Sequence, residues 1–579
     1  MTTRFFSLIA FVCFFLFGSV AVLAQGERAT ITGTVTDSTQ AIVPDTRITV
    51  RNLDTNVEER TVTNSSGIYY VPALPPGRYE VAAEKSGFRA AKVENLPLTV
   101  GLTATVNMIL EVGTVSEAVE VNATAVQLEA QTSGLGKVVQ TRQILELPNL
   151  GRDPFQYSAL APGVIPSSGQ VGVGGDAIGS ARNARISGGL AMQNGILVDG
   201  GESRGTTSSG QTYTPPLESV AEFKVETATY SPQFGRAAGG VINVATKSGT
   251  NQFHGSGYEY LRNDHLNANN WTNNLNGIPK GLYQWNQFGA TIGGPVVHNR
   301  TFFFFNYQGK REGSPYQFLD TVPSTLQRQG DFSQTFDRFG RLDVIYDPQT
   351  TRPDPAHSGS LIRDPFPGNK IPSDRVDPIA AKVLPFWPDA NRPGEGPSLI
   401  NNFFISGKTI LPTNAYFARV DHMINAKHRL YGRFGAQQAR GYSTGLKSIA
   451  FPATTIDSDP TRSALISETS SFSPTMLGEF RLSYTRIQNN SYPLSEGFNM
   501  ASLGFGPNLT SNVFYKQFPD IYVQTYASGT GLTVTGASPN EVGQLGGAHK
   551  VLTPQDTWQA QYHFTWIKAR HSIRMGADC

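Results

Sequence analysis

Few residues of this chain could do covalent chemistry, and their surroundings are wrong for it. Gly201-Glu202-Ser203-Arg204-Gly205 fits G-x-S-x-G, but a nucleophile elbow needs an apolar strand before the serine and a helix after it. Here Asp199-Gly200 precedes the motif and threonine, serine and glycine follow, so the match is chance. None of the nine histidines has a glutamate three residues later; a zinc peptidase uses such an H-x-x-E pair to bring two ligands to one metal with an open position. His254 and His265 read as strand or loop residues. The two cysteines, Cys13 and Cys579, stand at the margins, which leaves no disulfide framework and no thiolate metal site. Gly172-Val173-Gly174 lacks a following helical pattern, so it is no dinucleotide site. The sequence predicts no enzyme, no cofactor and no metal centre.

What remains is binding chemistry. Val115-Ser116-Glu117-Ala118-Val119-Glu120-Val121 alternates apolar and polar residues, and an extended segment of that kind can add as an edge strand to a partner's sheet. Gly239-Gly240-Val241-Ile242-Asn243 is the second stretch. Paired glycines admit close backbone approach and unusual dihedrals, and the β-branched run after them favours a buried strand. It follows the strand-like Glu222–Glu226 and a turn through Ser231-Pro232 and Phe234-Gly235-Arg236.

The elements that must position these stretches change character along the chain. Arg4, then the apolar run Phe5–Phe17, then Val22-Leu23-Ala24 before Gln25 predict a secretory signal peptide over 1–24. Over 25–112, alternating runs at Thr30–Asp37, Arg47–Val50 and Tyr79–Ala82 are separated by turn residues at Asn64–Gly67, Pro75–Gly77 and Ser86–Phe88; such spacing predicts a β-sandwich with Tyr69, Tyr70 and Tyr79 in its core. Residues 113–140 form a polar linker. In 141–250, Leu217–Phe223 predicts a short helix entering a strand at Lys224, and Ser167–Gly179 and Gly201–Gln211 are loops rich in glycine and serine. From 251 to 579 the rhythm is that of a barrel: hairpins turn at Val296–Arg300 and at Asn425-Ala426-Lys427, and Trp558, Ala560, Tyr562, Phe564 and Trp566 share one face opposite Gln559, Gln561, His563 and Thr565. Residues 310–412, rich in proline, aspartate and arginine, predict one long excursion.

Composition agrees. Charged residues make up 16% of the 579, against roughly 25% in ordinary soluble domains, and there are 59 glycines and 21 tyrosines. A net charge of +2 implies no nucleic-acid partner. Past residue 24 no apolar run is long enough for a spanning helix; barrel strands escape that test because their hydrophobicity alternates.

The block Gly239–Lys247, with the lead-in through Phe234-Gly235, resembles the end of the plug domain of TonB-dependent outer-membrane transporters. Ile144–Asn149, Leu160–Val164, Arg185–Gly188 and Ile196–Gly200 are similar to its earlier motifs. Gly33–Asp37, Gly67-Ile68-Tyr69, Pro76–Tyr79 and Gly87-Phe88 resemble the carboxypeptidase-regulatory-like domain of the Oar-like branch, and Gly293-Gly294-Pro295 with Phe302–Phe305 is similar to an early hairpin of that barrel. The resemblance implies a mainly β chain with an N-terminal β-sandwich, an α/β plug over 141–250 and a partial antiparallel transmembrane β-barrel over 251–579. Roughly 22 strands are expected of a whole transporter barrel, so the chain reads as a fragment, with 310–412 extracellular. The resemblance further implies that Val115–Val121 is the TonB box, that the inner-membrane TonB protein and outer-membrane lipid are partners, and that the ligand is a small molecule, oligosaccharide or peptide. Glu226–Pro232 stands where siderophore receptors carry Arg-Gly-Pro, which weakens an inference to siderophores. A surface carbohydrate-binding or adhesion protein is the alternative, and a secreted hydrolase a third.

Overall fold

The computed structural model describes residues 28–113, 119–120, 135–149, 151–165, 184–190, 193–205, 212–235, 237–275, 277, 279–337, 339–452, 454–523, 542–568 and 571–579. The signal segment 1–24, residues 115–118 and 121, and the loop residues 167–179 and 206–211 lie outside them. Strand dominates, as the composition and the alternating runs require.

The N-terminal unit is a two-layer sandwich. One sheet joins β1 (Ala29–Asp37) to β4 (Ile68–Leu74), β7 (Thr103–Thr105) and β8 (Met108–Leu110); the other runs β3 (Glu58–Val62), β2 (Arg47–Asn52), β5 (Gly77–Glu84), β6 (Ala91–Leu98) and β9 (Val119–Glu120). Alternation puts Ile48, Val50, Tyr69, Val71, Tyr79, Val81 and Val93 into one core, where each buried Val or Ile contributes roughly 1.5–3 kcal/mol. Tyr69 donates its hydroxyl to the Val106 carbonyl at 2.7 Å, and burial pushes its phenol well above the usual range. Tyr79 is buried with it. Tyr70 corrects the expectation for its neighbours: it is half-buried on the opposite face and accepts a hydrogen bond from Arg574, because adjacent strand residues point to opposite sides.

The second unit is a mixed sheet in the order β10 (Leu135–Gln140), β15 (Val220–Ala228), β16 (Val241–Thr246), β13 (Gly195–Val198) and β14 (Gly201–Glu202), beside a small hairpin of β11 (Val164–Ile165) and β12 (Arg185–Ile186). The helix Thr141–Glu146 buries Ile144 and ends at Leu147, which is extended as the residue before Pro148 must be. The helix expected over Leu217–Phe223 is shorter: a 3-10 turn covers Leu217–Ser219 and the strand begins at Val220, where β-branched and aromatic residues alternate inward. Val139, Ile144, Phe155, Ile196, Phe223, Ile242 and Val244 form the core.

The third unit is one meandering antiparallel sheet: β17 (His254–Asn263), β18 (Gln284–Val297), β19 (Thr301–Asp320), β22 (Phe403–Asn425), β23 (His428–Ser443), β24 (Thr455–Ser458), β25 (Thr461–Ser473), β26 (Met476–Pro493), β29 (Val551–Lys568) and β30 (His571–Asp578). At one end the strands join through turns as short as His298–Arg300 and Ala426-Lys427; at the other the connections are long, and two carry small hairpins of their own, β20 (Arg352–Pro353) with β21 (Leu361–Ile362) and β27 (Ile521–Val523) with β28 (Val542–Leu545). On β29 the expected alternation holds from Trp558 to Tyr562, where Trp558 is 66% exposed and Tyr562 44% and Gln559 and Gln561 are buried; from His563 to Trp566 both faces are half-buried.

The long excursion is narrower than 310–412. β19 continues to Asp320 and β22 starts at Phe403. Pro315 and Pro412 lie inside these strands although proline cannot donate to a ladder. Both sit where a neighbour is missing: β18 pairs with β19 only as far as Gly313, and the β22–β23 ladder skips from Ile410 to Thr413. The excursion itself is packed. Val322, Val383, Trp387, Phe403, Phe451, Leu503 and Phe518 join three long connections in one apolar cluster.

Candidate functional site

The mixed sheet fills the concave side of the barrel sheet, and the contact between them is built from buried charge. Val198 pairs with Gly201, so Asp199-Gly200 is a two-residue hairpin turn with both φ positive, 48° and 79°, the geometry Asp-Gly favours. The turn pushes the Asp199 carboxylate toward the barrel wall. Its oxygens accept hydrogen bonds from the Thr246 amide at 2.9 Å and the Thr246 hydroxyl at 2.7 Å. Arg433 Nε lies 3.1 Å from one oxygen and Arg419 Nη1 3.4 Å from the other. Arg433 also donates to the Val198 carbonyl at 2.8 Å, and Arg419 to the Thr246 carbonyl at 3.1 Å. Asp421 takes the remaining face of Arg419 through two bonds of 2.8 Å and accepts from Ser248 at 2.6 Å. Two arginines meet two aspartates, so the network is neutral, as buried ions must be.

Other contacts surround this latch. Arg152 pairs with Glu218 and stacks its guanidinium 3.7 Å above the Tyr260 ring. Asn306 donates to the Ser219 hydroxyl at 2.9 Å, and Gln559 accepts the Glu202 amide at 2.8 Å. Gly435 leaves room for the Tyr213 hydroxyl, which a side chain there would strike. Outside the barrel strands, burial pushes the Glu222 carboxyl up to about 7, partly offset by the Val100 amide that donates to it at 3.0 Å.

The stretches singled out by sequence fall in different places. Val241–Asn243 lie in β16 between β15 and β13. Gly239 and Gly240 need closeness rather than unusual dihedrals: neither has positive φ, and a Cβ at Gly240 would meet the Ile186 side chain and the Glu226 carbonyl. Val119-Glu120 runs parallel to Ala91-Lys92 at the edge of the sandwich. Ser203 is buried, and its hydroxyl donates to the Tyr213 carbonyl and accepts the Tyr213 amide at 3.0 and 3.1 Å, a structural use. Among the described residues no group of three or more His, Cys, Asp or Glu is placed to hold a metal ion. Sequence reasoning missed Asp199, Arg419 and Arg433. The available signal was phase: each arginine occupies the inward position of its strand, two residues from buried Phe417 or Tyr431.

Residues 245–579 match the family described as outer membrane beta barrel domain, and residues 30–111 match the carboxypeptidase regulatory-like domain. The chain is similar to the TonB-dependent transporter Oar of Myxococcus xanthus, with 28% identity over 376 residues, which are 57% of this chain and 33% of that protein. The chain therefore spans about a third of the length of this curated relative. Similar solved structures include the outer membrane transporter YddB from Escherichia coli, 10% identical over 77% of this chain and 48% of that one with a TM-score of 0.45. The siderophore receptor PirA from Acinetobacter baumannii is 13% identical over 79% and 49% with a TM-score of 0.41.

Proposed function

The chain belongs to the outer membrane beta barrel domain family, and from that premise we propose that it is a TonB-dependent receptor that imports a ligand by energised rearrangement of its plug. The observation that carries this reading is the Asp199 latch: a separately folded sheet sits inside the barrel wall, tied to Arg419 and Arg433 by polar contacts rather than by a shared apolar core. Such a contact holds at rest and can be exchanged for water under load, which a purely structural filling would not need.

In this reading the end with short turns faces the periplasm and the end with long connections faces outside, as in bacterial barrels generally. A small molecule, oligosaccharide or peptide binds among the outer loops and the plug apices. The inner-membrane TonB protein takes Val115–Val121 as an added strand and pulls the plug from its latch. Residues 1–24 direct export and are removed, and outer-membrane lipid surrounds the barrel.

A surface adhesion role for the sandwich fits less well. The sandwich lies at the short-turn end, where Asn251 donates to the Asp54 and Thr55 carbonyls, away from the outer loops. Deletion of Val115–Val121 is the functional test: uptake stops while ligand still binds to the cell surface. Uptake that survives the deletion contradicts the reading.

A further inference from the structure

The sandwich lies across the short-turn end of the barrel sheet. Asn251, just before β17, holds the Asp54–Thr55 turn. Midway along the sheet, Glu59 pairs with Arg429 at 3.2 Å with both side chains little exposed. At the other end, Arg574 of β30 donates to the Tyr70 hydroxyl at 2.7 Å. Arg28 enters beneath the sheet and covers the Tyr431 ring at 4.7 Å, on a ring that also carries Arg419 of the plug latch at 4.5 Å.

We infer that the sandwich is a reversible periplasmic gate: docked, it obstructs the inner mouth beneath the plug, and it must swing away before cargo can leave. This rests on the transporter reading for the direction of passage. Two features make the dock separable. Its ties are one ion pair, the Arg28–Tyr431 contact and a few hydrogen bonds, one of them from the Val100 amide to Glu222 of the plug, while the apolar core of the sandwich is complete in itself and draws nothing from the barrel; contacts of this kind behave as transient interfaces do. The seam is also incompletely packed. A crevice of about 580 Å³ lies between Glu59 and Tyr70 on the sandwich and Lys427, Thr475 and Ile567 on the barrel turns. Separation therefore exchanges a few polar contacts for water and leaves both units folded. The exit strand Val119-Glu120 lies against the edge of β6, so tension on the neighbouring linker is delivered to the sandwich as well as to the plug.

The test joins the sandwich to the rim. Glu59→Cys and Arg429→Cys are combined with Cys579→Ser in the full-length protein in the outer membrane, and a short bifunctional methanethiosulfonate, reversible by reductant, is added. The docked arrangement predicts efficient joining of the pair in resting cells; failure to join, with each single variant labelled normally, overturns the dock. A second variant also lacks residues 141–246, so that no plug obstructs the barrel, and vancomycin susceptibility reports passive leakage. Joining should lower susceptibility several-fold and reductant should restore it. Susceptibility unchanged by joining overturns the gate. Leakage needs no energised partner, so this result is independent of whether Val115–Val121 engages TonB.

Discussion

Removing the Asp199 carboxylate leaves two arginines with one aspartate, Asp421, and the arginine side chains are only 7% and 2% exposed. Breaking a buried pair on one side costs on the order of 3–5 kcal/mol, whereas replacing both sides by apolar groups is close to neutral. Asp199→Ala should therefore lower the thermal midpoint of the purified protein, and adding Arg433→Leu should recover part of the loss. An Asp199→Ala protein that melts like the parent would mean that the network is solvated. Glu222 gives a pH signature. Its folded carboxyl is raised to about 7 from 4.5, so the folded state binds the proton more tightly than the unfolded chain. Stability from this group is fullest below pH 4.5 and is lost as pH rises through 7, with an amplitude on the order of 3 kcal/mol at about 1.4 per decade. Glu222→Gln should flatten that part of a stability-against-pH curve measured by denaturant unfolding. An unchanged slope would place the titration elsewhere.

Among the elements, β16 is set by what passes behind it. Gly240→Val places a branched side chain on Ile186 and the Glu226 carbonyl, so the plug sheet cannot close. The expected result is loss of assembled protein from the outer membrane, because a plug that cannot close stays unfolded in the space inside the sheet where a deleted plug leaves only solvent, whereas Gly257→Ala, at a barrel position with open space around it, should assemble normally. Equal abundance of the two would show that the glycine pair tolerates separation of the strands. Element existence was legible wherever residues alternate over a half-buried sheet, as on β29 and in the hairpin at Asn425–Lys427. Boundaries failed where local chemistry misleads. The proline-rich composition of 310–412 read as one loop, yet Pro315 and Pro412 each sit at a gap in a strand ladder. Tyr70 read as core with Tyr69 and Tyr79 because sequence cannot tell a core aromatic in a sandwich from an exposed one, and its partner Arg574 lies 504 residues away.

At the scale of the whole molecule, the order sandwich, plug-like sheet and barrel was legible because the sandwich and the barrel carry their own periodicity and turn chemistry, and because stretches of the sheet between them, such as Gly239–Lys247, resemble plug motifs. The latch was not. Asp199 and Arg419 are 220 residues apart, and no local pattern marks two charges that neutralise each other only after the sheet curves around the plug. The same holds for the sandwich, whose contacts at the short-turn end join distant residues such as Glu59 and Arg429. In the proposed reading these long-range polar seams are where the units separate when the linker is pulled. The most direct measurement of the central claim is a titration of the purified full-length protein in detergent with the periplasmic domain of TonB from the same organism, beside a variant lacking Val115–Val121. Saturable binding to the parent and none to the variant, with unchanged melting of the variant, is the predicted result. Equal binding by both proteins would contradict the assignment of that segment as the site through which the plug is energised.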